Sequence, residues 1–270
     1  MSGKESYSKN LEVIMFKYAI TRRPGINFTA GLTSQSFSTP DFYIAMNQHE
    51  AYITNLMNCG LEVTVLEADN NYPDGEFVED TAVISKRCAI LAQPGAASRV
   101  GEAKLIQPTL EHFFEKIEKI TPPGTLEGGD ICQVENHFFI GLSERTNQDG
   151  AKQITQILKK YGYTSEIIDC KKIPGLLHLK SGIAYLGEGR LAVIDELNDH
   201  PALKNFRRLL VPEEEKYAAN CVRVNDHILA VKGFPRFLEM LIKENFQVLE
   251  LSMSEFEKMD GGLSCLSLRF

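Results

Sequence analysis

No CxxC pair, no apolar run long enough to cross a membrane, no linker-like or low-complexity stretch and no basic excess occur in this 270-residue sequence. Each absence narrows what the chain can be. The six cysteines stand apart at 59, 88, 132, 170, 221 and 265, so neither a disulfide framework nor a zinc site is expected. Reduced thiols point to a cytoplasmic setting. The first apolar run, residues 13–20, is eight residues long and contains Lys17, too short and too interrupted for a signal peptide or a membrane span. Lys and Arg total 29 against 36 Asp and Glu, a net charge of −7. That balance argues against nucleic acid or an anionic membrane as partner, since both need a basic face. It suits a small cationic ligand. With 43% hydrophobic and 24% charged residues the composition is that of an ordinary soluble chain, and its length leaves one large domain or two modest ones open.

Short apolar runs alternate with helix-length amphipathic segments from end to end. Residues 41–59, 149–161 and 235–244 each read as a helix, stopped by Gly60, Gly162 and Asn245, residue types that tolerate the left-handed conformation closing a helix. A strand follows each stop, over 61–67, 163–169 and 246–251. One phrase of helix, stop and strand thus occurs three times, with room for a further copy in each gap. Segments 111–120 and 201–209 are the candidate helices for those gaps, and 81–91 and 221–231 read as strand pairs, the second turning at Asn225-Asp226. A cyclic arrangement of about five β/α modules accounts for this pattern. An open doubly wound α/β sheet is the plainer alternative.

Chemistry concentrates in a few places. The C-terminal segment Met259-Asp-Gly-Gly-Leu-Ser-Cys265 sets a cysteine after a Gly-Gly turn that lets the backbone approach a ligand closely. Taken alone such a cysteine is more often a small core hydrophobe. His178 lies among leucines beside Pro174-Gly175, where a dry setting makes a tunable general acid/base as well as a plain core histidine. The other five histidines are weaker candidates: His49 falls on a helix, and His112, His137, His200 and His227 have polar neighbours that suggest the surface. Asp74, Glu79 and Asp80 form the strongest acidic cluster. Glu79 and Asp80 sit between Phe77-Val78 and Ala82-Val83-Ile84, and adjacent carboxylates in an apolar run cost several kcal/mol unless donors such as a guanidinium satisfy them. Glu127 and Asp130 flank a second Gly-Gly pair, equally readable as a turn. Arg99 and Arg145 occupy loops at strand ends, where a planar fork suits an α-carboxylate.

Seven segments carry a more specific signal: PDGEFVEDTAV (73–83), RCAILAQPGAASR (87–99), PGTLEGGD (123–130), FFIGLSERTNQDGA (138–151), LLHLKSGIAYL (176–186), EEEKYAANC (213–221) and MDGGLSCLSLRF (259–270). In this order and over nearly the whole chain, the sequence closely resembles bacterial dimethylarginine dimethylaminohydrolases. These belong to the guanidine-modifying superfamily that also holds arginine deiminases and amidinotransferases. The resemblance implies a five-bladed α/β propeller of ββαβ modules, as a single catalytic domain over residues 1–270. It implies hydrolysis of dimethyl- and monomethylarginine to citrulline and dimethylamine or methylamine, through a covalent thiouronium and with neither metal nor organic cofactor. Cys265 would be the nucleophile and His178 the general acid/base. Glu127 would orient His178 and bind a guanidinium nitrogen, and Asp80 would pair with the guanidinium, assisted by Glu79 and Asp74. Arg99 and Arg145 would hold the carboxylate, and backbone groups of Leu32 and Met259 would meet the amino-acid end. A homodimer is left open. An arginine deiminase or amidinotransferase with the same triad is the nearest alternative. A non-catalytic binder of cationic amino acids is the other, and it has no need of Cys265 with His178.

Overall fold

Helix ends set the rhythm of the structure, a computed structural model that describes residues 15–270. The start of the apolar run at residues 13–20 lies outside the described residues. The first elements are β1 (Tyr18–Arg22), α1 (Phe42–Asn58) and β2 (Glu62–Leu66). Next come β3 (Ala82–Ser85), β4 (Cys88–Leu91), α2 (Glu102–Leu110) and β5 (Ile117–Lys119). The third group is β6 (Ile131–Val134), β7 (His137–Leu142), α3 (Gln148–Lys160) and β8 (Thr164–Asp169). The fourth is β9 (Ile183–Gly187), β10 (Arg190–Val193), α4 (Asp195–Asn198) and β11 (Arg207–Leu210). The last is β12 (Val222–Val224), β13 (His227–Val231), α5 (Pro235–Lys243) and β14 (Gln247–Leu251), with β15 (Leu268–Arg269) at the C-terminus. Asp41 opens α1 by accepting the Ile44 N–H, and Asn147 opens α3 by accepting that of Gly150. At the other ends Gly60, Gly162 and Asn245 take φ of +92°, +78° and +62°. The residue after each stop then donates back into the last turn: Leu61 to Leu56, Tyr163 to Leu158 and Phe246 to Leu241.

The strands form five sheets of three. In each, an antiparallel pair is followed by a helix that returns the chain to add a third strand in parallel, as in Ala82↔Leu91 followed by Ala89↔Ile117. The fifth sheet is closed by the two ends of the chain. β15 pairs antiparallel with β1 through Ala19↔Arg269, and β2 completes it. The inner strands β3, β6, β9, β12 and β15 surround a cavity of about 160 Å³, lined by Val83, Cys132, Ala184, Arg223 and Arg269 among others. This is the five-bladed α/β propeller of ββαβ modules expected above. Apolar side chains of neighbouring sheets and helices pack into clusters between the blades. Among the described residues no helix is long and apolar enough to cross a membrane.

Two expected helices are absent. Segment 111–120 carries an apolar period that fits a helix, but the helix of that blade is α2, upstream. Phe113 and Phe114 instead pack against Phe270 and the blade's core, and Ile117–Lys119 is needed as the third strand beside β4. Segment 201–209 likewise divides into a 3-10 turn at Pro201–Leu203 and β11. In both places completing a three-stranded sheet outweighs local periodicity.

Candidate active site

A short 3-10 turn precedes every inner strand. The turns are Val78–Thr81 before β3, Gly128–Asp130 before β6, Leu179–Ser181 before β9, Glu213–Ala219 before β12 and Ser264–Leu266 before β15. They pack on one another at one end of the axis. Five of the candidate residues sit in or beside one of them. Glu79 and Asp80 lie within the first turn, Glu127 and His178 cap the second and third from extended backbone, and Cys265 is in the last.

Glu127 and His178 form the centre of this cluster. Nε2 of His178 lies 2.9 Å from Oε2 of Glu127 and 4.0 Å from Oδ1 of Asp80. Burial alone would lower the imidazole pKa, but Asp80, Asp130 and the hydrogen bond to Glu127 lift it to about 9. Burial would likewise raise Asp80, yet the charges of His178 and Arg99 hold it down at about 2. At a pKa of about 9 His178 carries a charge at neutral pH, with Nε2 bonded to Glu127. Gly129 permits this packing, because a Cβ there would lie 2.7 Å from Cγ of His178 and 3.0 Å from Oδ1 of Asp80. Asp80, Glu127 and His178 bring ligand atoms within 4.8 Å of one another, as a metal site would. A cation there would have to displace the Glu127–His178 hydrogen bond and the Arg99–Asp80 pair at 2.6 Å.

Cys265 alone of the six cysteines is not buried. It opens on a pocket of about 30 Å³ lined also by Leu32, Asp74, Asp80, Arg145 and His178, room for a water or two. Enclosure raises the thiol pKa first, and Glu79 and Asp80 add to it, carrying it to about 12. The pocket also takes in Arg99 and Met259. Leu32 covers it from an exposed strap, its N–H donating to Asp74. The strap is tied down further on, where Asp260 accepts from Ser34 N–H, Ser34 Oγ and Gln35 Nε2.

Two of the expected guanidinium contacts meet competing partners here. Glu127 accepts from His178, from the N–H groups of Gly95 and Ala96 and, at 3.4 Å, from Arg145. Three of its acceptor positions are filled at 3.2 Å or less, and the remaining one, on Oε2, is met only by the long Arg145 contact, which a guanidinium nitrogen would displace. Glu79 faces the axial cavity instead of the pocket, held by Lys180 at 2.6 Å, Ser264 at 2.7 Å and Arg269 at 3.5 Å. Arg99 borders the pocket but is almost fully engaged, binding Glu102, Asp80 and the carbonyls of Asp74 and Phe77. Lys180, Ser264 and Asn220, which joins Ser264 to the Lys180 carbonyl, went unnoticed in the sequence. Lys180 and Ser264 stand beside His178 and Cys265, and adjacency is the signal that could have found them.

The model for "N,N dimethylarginine dimethylhydrolase, eukaryotic" matches residues 40–211. The N(G),N(G)-dimethylarginine dimethylaminohydrolase of Pseudomonas aeruginosa is 43% identical over 95% of this chain and 100% of its own. The chain belongs to the dimethylarginine dimethylaminohydrolase family. Two solved members superpose on it with TM-scores of 0.92 at 43% identity, covering 95% of this chain and 100% of theirs. One is a cysteine-to-serine mutant of the Pseudomonas aeruginosa enzyme complexed with citrulline, the other a histidine-to-glycine adduct with S-methyl-L-thiocitrulline. Membership of the dimethylarginine dimethylaminohydrolase family covers all five blades, since the full-length match leaves none unpaired.

Proposed function

We propose that this chain hydrolyses N-omega-methylated arginines to citrulline and dimethylamine or methylamine, with Cys265 as nucleophile. One observation carries the reading: the single partly exposed thiol opens into the same small pocket as a charged His178 and the carboxylates of Asp74 and Asp80. A guanidinium resists water because its central carbon is stabilised by delocalisation. A sulfur nucleophile divides the reaction into two lower barriers. With the guanidinium bound, the Cys265 thiol loses its proton to solvent and the thiolate attacks the guanidinium carbon; the bond from that carbon to the methylated nitrogen then breaks as His178 protonates the departing amine. Water then attacks the thiouronium carbon and gives its proton to His178. The C–S bond breaks, releasing citrulline and restoring the thiol.

Asp80, held between Arg99 and the Gly129 N–H, keeps an acceptor position for the guanidinium. Asp74, whose side chain accepts the Leu32 N–H, takes the positive end of the ligand. Arg145, partly exposed, receives the α-carboxylate, with Leu32 and Met259 enclosing the amino-acid end. The test is citrulline release from a panel of dimethylarginine, monomethylarginine, arginine and agmatine. Release from the methylated pair, lost in Cys265→Ser, supports the reading. Preference for unmethylated arginine would make the protein a deiminase, and no release from any would leave it a binder.

A further inference from the structure

We propose that Asp130 is a positioning residue, the buried hub that fixes the loops carrying Glu127, Arg145 and His178 relative to one another. This rests on the hydrolytic reading above. The side chain is fully buried just before β6, and among the described residues its bonds are to Leu179 and Ser143, with no salt bridge to a lysine or arginine. Oδ1 accepts the main-chain N–H of Leu179 at 3.0 Å, one residue past His178. Oδ2 accepts the hydroxyl of Ser143 at 2.6 Å. That hydroxyl in turn accepts the N–H groups of Arg145 at 3.0 Å and Thr146 at 3.1 Å. Thr146 Oγ1 accepts the N–H of Glu127 at 3.2 Å and bonds back towards Asp130. Three loops from two blades therefore converge on one carboxylate. The middle strand makes room for it at Gly141, where a Cβ would lie 2.9 Å from Oδ1 and 2.8 Å from Leu179 Cβ.

Only a carboxylate satisfies this arrangement. Every partner is a donor, and the single hydroxyl hydrogen of Ser143 is directed at Asp130 because its oxygen already accepts two N–H groups. An asparagine amide would set an N–H against an oxygen that has no acceptor position left. The charge matters as well as the geometry. His178 is faced by Asp80 from the first turn and by Glu127 and Asp130 from the second, while Lys180 on its own turn is bound to Glu79 at the axial cavity. Arg99 and Arg145 lie behind the acids, while Cys265, Asp74 and Asp260 share the pocket. Asp130 is one of the acids that keep the imidazolium charged.

The experiment compares Asp130→Asn with Ser143→Ala, reading steady-state kinetics on dimethylarginine and the His178 pKa by imidazole NMR titration of the free protein. Asp130→Asn should lower kcat at least tenfold and move the His178 pKa down by about one unit. Ser143→Ala keeps the charge but strands the Arg145 and Thr146 amides, so KM should rise several-fold with the His178 pKa unmoved. A purely structural carboxylate would leave the imidazole titration where it is. The hub is refuted if Asp130→Asn folds with kcat within twofold of wild type and an unshifted His178. If Asp130→Asn does not fold, Ser143→Ala decides: a several-fold rise in KM supports the hub, and wild-type kinetics overturn it. The NMR titration needs no turnover, so a failure of the wild type to release citrulline would sink the hydrolytic reading separately.

Discussion

Alkylating Cys265 in the free protein with a neutral reagent across a pH series should give an apparent pKa well above that of an ordinary thiol. Enclosure and the carboxylates of Glu79 and Asp80 move it from 9.0 to about 12. Three units correspond to about 4 kcal/mol opposing ionisation, an upper figure because the sulfur keeps some contact with solvent. At pH 8 well under about one molecule in a hundred then carries a thiolate. A guanidinium about 4 Å from the sulfur returns about 4 kcal/mol at an effective dielectric constant near 20. The substrate therefore supplies the field that ionises its own nucleophile, and until it arrives the thiol resists oxidation. The five other cysteines are buried, and their replacement leaves a single reporter. An apparent pKa below about 7 would refute the reasoning, because it would mean a standing thiolate–imidazolium pair with His178. A thiolate ultraviolet band that fails to grow when a small guanidinium such as methylguanidine is added would refute it too.

The two arginines should now separate. Arg145→Ala should keep the fold and raise KM for methylarginine by roughly 10- to 100-fold with little change for agmatine, matching 1.5–3 kcal/mol for a charge-assisted bond; equal losses for both ligands would make Arg145 structural. Arg99→Ala should instead cost about 3–5 kcal/mol of stability in urea unfolding, because it leaves Asp80 and Glu102 buried without their cation. Glu76 is buried with carboxyl oxygens that, among the described residues, meet no donor outside its own backbone, and burial raises its pKa well above 4.5. Folded protein thus holds a proton that the unfolded chain releases, so stability falls as pH rises past that value, and Glu76→Gln should gain on wild type between pH 5 and 8; a pH-independent difference would refute this. Asp260→Ala should free the strap at residues 33–35, raising KM for methylarginine, and unchanged kinetics would show that the strap does not govern entry.

Helix stops were the most legible part of the fold, since Gly60, Gly162 and Asn245 carry their meaning in their residue types. The helices expected at 111–120 and 201–209 were misread for a physical reason: amphipathic spacing reports burial on one side, and an edge strand under a helix has that too. In the site, the pairing of His178 with Glu127 follows the family pattern, but the direction in which Glu79 faces does not follow from its place beside Asp80. Neighbours in a 3-10 turn point apart, one to the pocket and one to the axial cavity. His49 was passed over as a helix residue. It is fully buried, and burial pushes its pKa down to about 4. Asp130 stood out only as a turn acid, because partners on other loops leave no trace in local spacing.

The site is built by repetition. Each blade offers one 3-10 turn at the same end of the axis, and the blades differ in what that turn carries: a pair of acids, an acid with a hub, a histidine, a tyrosine and asparagine, and a cysteine. A turn of this kind cannot satisfy its own buried charge, so it borrows from other turns and loops around the axis. Glu79 is met by Lys180 and Ser264, Asp80 by Arg99 and the Gly129 N–H, Glu127 by His178, and Asp130 by Leu179 and Ser143. Stability and catalysis therefore share bonds in this region. A substitution in one turn acts first on the group presented by its neighbour. Asp74 stands apart: its own bond is to the Leu32 N–H, and burial raises its pKa despite Arg99 and Arg145 nearby. A carboxylate bonded to no cation thus lies where a cationic ligand enters, in the same pocket as Asp80, whose charge also keeps Cys265 neutral in the ligand's absence.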